Sequence, residues 1–275
     1  MDDGRHPNAE EKVGDLLSRA YQGLEITTRD DQFDFTALLD AARAARRNGG
    51  RLRLLDSGRF GAFELEWLAE AGTDLFTSDE SQRDRAELGL IAKACCKGGS
   101  AVAFFQRGVV TKNCAAEASS WGFLREIVRD GVDVHVSSRE RERDLAEMAQ
   151  TACLSRRAGS RLVYYHHRPL EEGLEALAGS GGWVHLLDDA LDEADSKTLL
   201  GDVIRAASAA GAGVVLHLEG AHPVEVLRDC FHAGAFLLFG TPPGEKRSRL
   251  GTLERQAQKR QLDRRLYYLY RNFLP

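Results

Sequence analysis

The chain has 275 residues, 43% of them hydrophobic and 29% charged, with a formal net charge of −5. This is the make-up of an ordinary globular protein able to build its core without staples, and it argues against bulk nucleic-acid affinity and, with no apolar run near the ~18 residues of a membrane span, against a membrane-embedded class. An odd cysteine count of five without a CxxC pair, and the polar, acidic start "MDDGRHPNAEEK", predict reduced thiols in a cytoplasmic chain without a secretion signal.

Residues 1–48 read as a helical extension, with helices expected at about 9–23 and 34–48, packed on the domain that follows. From residue 49 the pattern changes. Short β-like runs recur at 49–57, 72–80, 98–106, 131–138, 159–167, 181–189, 211–220 and 234–241, nearly all opening on a glycine that suits the left-handed end of a preceding helix. Helical stretches such as "SKTLLGDVIRAASAAG" separate them, and Pro223 suits a first helical turn. Strands alternating with helices imply parallel pairing through right-handed crossovers. Eight such units over 49–275 predict an α/β chain with a (β/α)8 TIM-type barrel. The other candidate, an open doubly wound sheet, usually carries a glycine-rich phosphate loop after its first strand; here that position reads "LLDSGRFG", which is not GxGxxG.

Barrel strands turn apolar side chains to the outer helices and fill the lumen with the alternate set. "VDVHVSS" and "VVLHLEG" then put Val132, Val134, Val136, Val214, Leu216 and Leu218 outside. Asp133, His135, Ser137, His217 and Glu219 point inward, and analogy adds His185. In "LVYYHHR" either His166 or His167 points in. His166 is favoured, because Val163 and Tyr165 suit the outer face. Histidines thus fall on four successive strands near the carboxyl ends, where barrel enzymes place their chemistry. Imidazole serves proton transfer near neutral pH and is the commonest metal ligand, so His135, His185, His217, Glu219 and Asp133 are the candidate acid–base residues. The plainer alternative is a polar plug that only fixes strand register.

The loops after the strands carry cations although the chain is acidic. Arg107, Arg139, Arg168 and Arg247 are candidate binders of a small phosphorylated or carboxylated molecule, with Ser137 beside them. No interleaved basic and aromatic stripe points to nucleic acid. Carboxylates at the same end, Asp56 among them, could join His135, His166 and His217 around Zn²⁺, Mn²⁺ or Fe²⁺, although no H-x-H pair is present. Every lysine lies outside the expected strands, against Schiff-base chemistry. Cys95 and Cys96 read as structural and Cys114 as the one cysteine to test as a nucleophile.

The last segment, "SRLGTLERQAQKRQLDRRLYYLYRNFLP", reads as a long basic helix ending in Tyr267, Tyr268, Tyr270 and Phe273. It is either an outer barrel helix with a packed tail or a contact between copies in a homo-oligomer. Two functions stay open: an enzyme (lyase, isomerase or hydrolase) acting on a small anionic substrate, and a non-catalytic barrel that binds partners through this aromatic helix.

Overall fold

The computed structural model describes residues 9–106, 120–139, 141–187, 196–218 and 223–239. The chain divides into two compact units, Met1–Asp133 and Val134–Pro275.

The first unit runs α1 (Ala9–Tyr21), β1 (Glu25–Arg29), α2 (Phe35–Arg47), β2 (Arg51–Leu55), α3 (Ala62–Glu70), β3 (Asp74–Ser78), a 3₁₀ turn at Asp79–Ser81, α4 (Arg85–Gly98), β4 (Val102–Gln106) and α5 (Trp121–Arg129). The second runs β5 (Asp133–Ser137), α6 (Leu145–Ala158), β6 (Leu162–His166), α7 (Leu174–Gly179), β7 (Trp183–Leu187), α8 (Ser196–Ala210), β8 (Val214–Leu218), α9 (Val224–Ala233) and β9 (Phe236–Phe239). The strand order in the sheet is β1 through β9 in sequence, and the pairings within each unit are parallel. Sequential order without a reversal belongs to the singly wound (β/α)8, TIM-type class and not to a doubly wound sheet.

Each of the eight expected runs contains one strand, from β2 to β9. The ninth strand, β1, corrects the reading of 1–48 as purely helical: the two helices are there, with "EITTR" between them. Its one large buried apolar side chain, Ile26, pairs with Leu52, and Thr28 pairs with Leu54. β-branched threonines suit a pleated surface, but a single isoleucine gives no apolar run to read.

Local signals set the element ends. Asp34, Asp84, Ser120 and Asp144 each accept a backbone N–H of the first helical turn, a stabilisation of about 1 kcal/mol apiece. Gly99 and Gly234 adopt the left-handed conformation that ends α4 and α9, which a side chain would resist. In the second unit one sheet face is apolar and closed, with Val134, Val136, Leu162, Val184, Leu186, Val214 and Leu216 at most 1% exposed. The side chains that alternate with them form the other face, and most of those are buried too.

Close helix packing makes one glycine indispensable. Gly98 is the last residue of α4, and a Cβ there would overlap the carbonyl oxygen of Ala69 in α3. An exposed helical Gly→Ala change would stabilise by about 1 kcal/mol; here backbone overlap reverses the sign. Gly98→Ala is expected to lower unfolding stability in urea by about 1–3 kcal/mol, and an unchanged or raised midpoint would refute that packing.

Candidate functional site

In parallel strands, paired residues share a face. The register pairs His135 with Val163, Ser137 with Tyr165, Tyr165 with His185, His185 with Val215, and Leu187 with His217. One face of β5–β8 therefore carries His135, Tyr165, His185 and His217, as expected for the three histidines. Tyr165 is new to the set.

The four side chains form a contiguous row. His135 Nδ1 and the Tyr165 hydroxyl share a hydrogen bond of 3.1 Å. The Tyr165 and His185 rings meet at a centroid distance of 4.6 Å. His185 Nδ1 and His217 Nε2 share a hydrogen bond of 2.8 Å, so one imidazole donates and the other accepts. Exposure is 2% for His135, 1% for Tyr165 and His185, and 7% for His217. Apolar neighbours seal the row: Val163, Val215, Trp183, Phe236 and Leu238 pack with Tyr165.

Burial decides the charge of these rings. It pushes the His135 pKa down to about 3, helped by the Arg161 guanidinium. The same desolvation, reinforced by the neighbouring His217 and His135, holds His185 well below the usual imidazole range. Both are neutral at physiological pH. One atom of the row stands out: His185 Nε2 is buried and has no hydrogen-bond partner.

The carboxyl ends of β5 and β6 carry the next set of polar groups. Ser137 Oγ accepts the backbone N–H of Arg139 at 3.1 Å, and the Ser137 carbonyl accepts Nε of the buried Arg143 at 2.6 Å. Ser138 Oγ accepts the His167 backbone N–H at 2.9 Å, tying the two strand ends together. The side chains of Arg139 and Arg168 are exposed, and Arg168 reaches Glu142 at 3.5 Å. The His167 pKa is lowered by burial and then by Arg139 and His166. Asp133 is buried and opens β5, so it lies roughly 13 Å along the strand from Ser137, away from the end where the arginines collect. Glu219, Arg107, Arg247, Cys114 and the C-terminal aromatic segment lie outside the described residues.

Two expected ligands go elsewhere. His166 is on the opposite face from His135: its Nδ1 bonds the Tyr164 hydroxyl at 3.2 Å and its Nε2 the Pro169 carbonyl at 2.9 Å, with Glu171 3.7 Å away. It closes the turn after β6. Val163 and Tyr165 share the face of His135, the reverse of the parity expected from their apolar character, because the Tyr165 hydroxyl belongs to the polar row. Asp56, in the first unit, is consumed by structure. Arg83 donates Nε to Oδ2 at 2.9 Å and Nη2 to Oδ1 at 2.8 Å, and Thr77 and the Gly58 N–H fill the remaining lone pairs. Among the described residues no three His, Cys, Asp or Glu side chains are placed to hold a metal ion, and no helix is long and apolar enough to cross a membrane. Cys95 is buried in α4 with its thiol pushed up to about 12, an inert structural position.

The suppressed imidazole charge makes stability depend on pH with a definite sign. An unfolded histidine takes up its proton near pH 6.5, while folded His135 refuses it until about 3. Stability is therefore complete above about pH 6.5 and falls as pH drops toward 3, by about 1.4 kcal/mol per pH unit for each such histidine. Urea unfolding of wild type and His135→Gln between these limits is expected to show a slope shallower by one proton in the variant; equal slopes would mean that His135 is protonated in the folded chain.

No protein-family model matches the chain, and no curated protein matches it. Among solved structures it is similar to a tryptophan synthase complex from the hyperthermophile Pyrococcus furiosus, at 15% identity over 86% of this chain and 93% of that one, with a TM-score of 0.36. It is also similar to the tetrameric deoxyribose phosphate aldolase from Aeropyrum pernix, at 14% identity over 85% of this chain and 94% of that one, with a TM-score of 0.32.

Proposed function

We propose that the chain is an enzyme that holds a small phosphorylated or carboxylated compound at the carboxyl ends of β5–β8 and moves protons beside it through the imidazole row, in a lyase, isomerase or hydrolase reaction. The observation that carries this reading is the unpartnered, buried Nε2 of His185 at the centre of that row. A buried polar atom without a partner costs about 1–3 kcal/mol, and branched apolar side chains would fill the position at no such cost. The cost makes sense if the atom meets a bound group.

Roles follow from placement. His217 is the most accessible ring of the row and sits one residue from the end of β8, so it exchanges protons with the substrate. His185 fixes its tautomer through the 2.8 Å bond. A proton passing from the substrate to the outer nitrogen of His217 is balanced by one passing from its Nε2 to His185 Nδ1, and by one passing from His185 Nε2 to the oxygen of the bound compound that meets it. His135 and Tyr165 hold the inner end of the row neutral and oriented. A neutral imidazole is a hydrogen-bond donor suited to an oxygen on which charge develops. Glu219, two positions after His217 in the sequence, is assigned to orient it. Arg139 and Arg168 supply cations at the strand ends, and Ser137, whose Oγ accepts the Arg139 backbone N–H, is assigned to the same anion; Arg107 and Arg247 are assigned that role by residue type alone.

A second reading, in which the row is a polar plug and the chain is a binding protein working through its C-terminal aromatic segment, is favoured by one observation: no member of the row is more than 7% exposed. Histidine-ring ¹⁵N spectra separate the two. Titration with inorganic phosphate, glycerol phosphate and malonate is expected to shift the His217 and His185 ring signals, with at least one ligand losing tenfold or more in affinity in Arg139→Ala/Arg168→Ala. Ring signals unmoved by every ligand would establish the plug. The acid–base reading also expects the spectra to be unchanged by EDTA; a change would trace a bound Zn²⁺, Mn²⁺ or Fe²⁺ and replace the relay with metal-assisted chemistry.

A further inference from the structure

The first unit exposes an ordered aromatic ridge that its own fold does not use. Phe63 is 67% exposed and Trp67 47% exposed. They lie one helical turn apart on α3, so they share a face, and their rings meet at 5.4 Å. Trp67 also meets Phe35 at 6.4 Å, and Phe35 meets the buried Phe60 at 6.1 Å. The chain of rings runs from the core to the surface, so the outer pair is anchored from beneath and loses little freedom on being covered. Single exposed apolar side chains are ordinary, but a contiguous aromatic pair rooted in the core has the make-up of an interface centre.

The charge around the ridge selects the partner. α3, "AFELEWLAE", carries Glu64, Glu66 and Glu70 and no basic residue; Glu64 caps the Gly61 N–H and Glu70 meets Lys97 at 3.2 Å, so the charge contact falls to Glu66. The sequence contains one segment of the complementary kind. Residues 254–273 hold six Arg or Lys against Glu254 and Asp263, and end in Tyr267, Tyr268, Tyr270 and Phe273. Arginine pairs with carboxylates and stacks on indole faces, so the segment matches the ridge in charge and in aromatic content.

We propose that the Phe63–Trp67 face of α3 is the docking surface for the basic aromatic C-terminal segment of a second copy of this chain. Ridge and segment belong to one polypeptide, so two copies exchange segments and form the contact twice about a two-fold axis, which closes the assembly. The contact does not depend on the chemistry assigned to the histidine row.

Sedimentation equilibrium of the full chain tests this. Wild type is expected to be a dimer, with Phe63→Ser/Trp67→Ser weakening dimerisation by at least about thirtyfold, the size of an aromatic hot spot. Both positions are exposed, and circular dichroism checks that the variant folds. Glu66→Arg and Arg264→Glu/Arg265→Glu are each expected to weaken the dimer, and their combination to restore part of the affinity. A monomeric wild type overturns the proposal, including the case in which the segment folds back on its own copy. So does a dimer indifferent to the ridge substitutions, or the absence of charge-swap recovery.

Discussion

A strand buried on both faces leaves a polar side chain no water to fall back on, and this constraint governs both units. Every polar group on the sheet must be satisfied by protein, neutralised or left at a cost. The first unit answers mainly by pairing charges, although Asp74 Oδ2 is left at a cost. Asp56 and Arg83, each less than a tenth exposed, meet in a two-pronged ion pair whose remaining lone pairs are filled by Thr77 and Gly58. Arg53, 1% exposed, faces Glu25 at 3.2 Å, and Asp74, fully buried, receives Arg51 at 2.8 Å. The second unit neutralises instead: its polar row is made of three imidazoles and a phenol, and burial strips the charge from His135 and His185.

The two solutions have different consequences. A bidentate ion pair is rigid, and removing one partner strands a buried charge at a cost of about 3–5 kcal/mol, so Asp56 and Arg83 hold the ends of β2 and β3 but have no lone pair to offer a ligand. A neutral imidazole keeps both a donor and an acceptor and can exchange them between tautomers without creating charge. This is why Asp56, a reasonable ligand by residue type, belongs to the scaffold, while the histidines keep chemical capacity.

How much of this was legible follows from the signals each residue leaves. The eight strands β2–β9 announce themselves by a glycine and an apolar alternation, and the faces of β5 and β8 follow from three consecutive alternating apolar positions in each. β1 has no such run. β6 fails for another reason: "LVYYHH" places two tyrosines beside two histidines, so hydrophobic periodicity has no polar–apolar contrast from which to read the face. What resolves it is the partner of the Tyr165 hydroxyl on a neighbouring strand, information that exists only once the sheet is registered. Asp56 was likewise legible as a carboxylate at a strand end, but its claimant, Arg83, is 27 residues away. Tyr165 could have been found by asking which side chain satisfies His135.

His185 Nε2 shares its lack of a partner with scaffold atoms such as Gln106 Oε1, but it alone among these sits on an imidazole that is bonded to a second imidazole. A polar cluster retained only to fix strand register is expected to close its hydrogen bonds, because a partly satisfied network is less stable than apolar packing of the same volume. The row closes His135 onto Tyr165 and His185 onto His217, then leaves His185 Nε2 bare. The bare atom cannot be relieved by charging the ring, since desolvation and the adjacent His217 and His135 oppose the imidazolium. Nor can the ring turn away to seek a partner, because its Nδ1 is fixed by a 2.8 Å bond and its face lies against Tyr165. The nitrogen is thus held neutral, oriented and unsatisfied by three separate interactions, which is the state required of a group that must meet a ligand oxygen without reorganising.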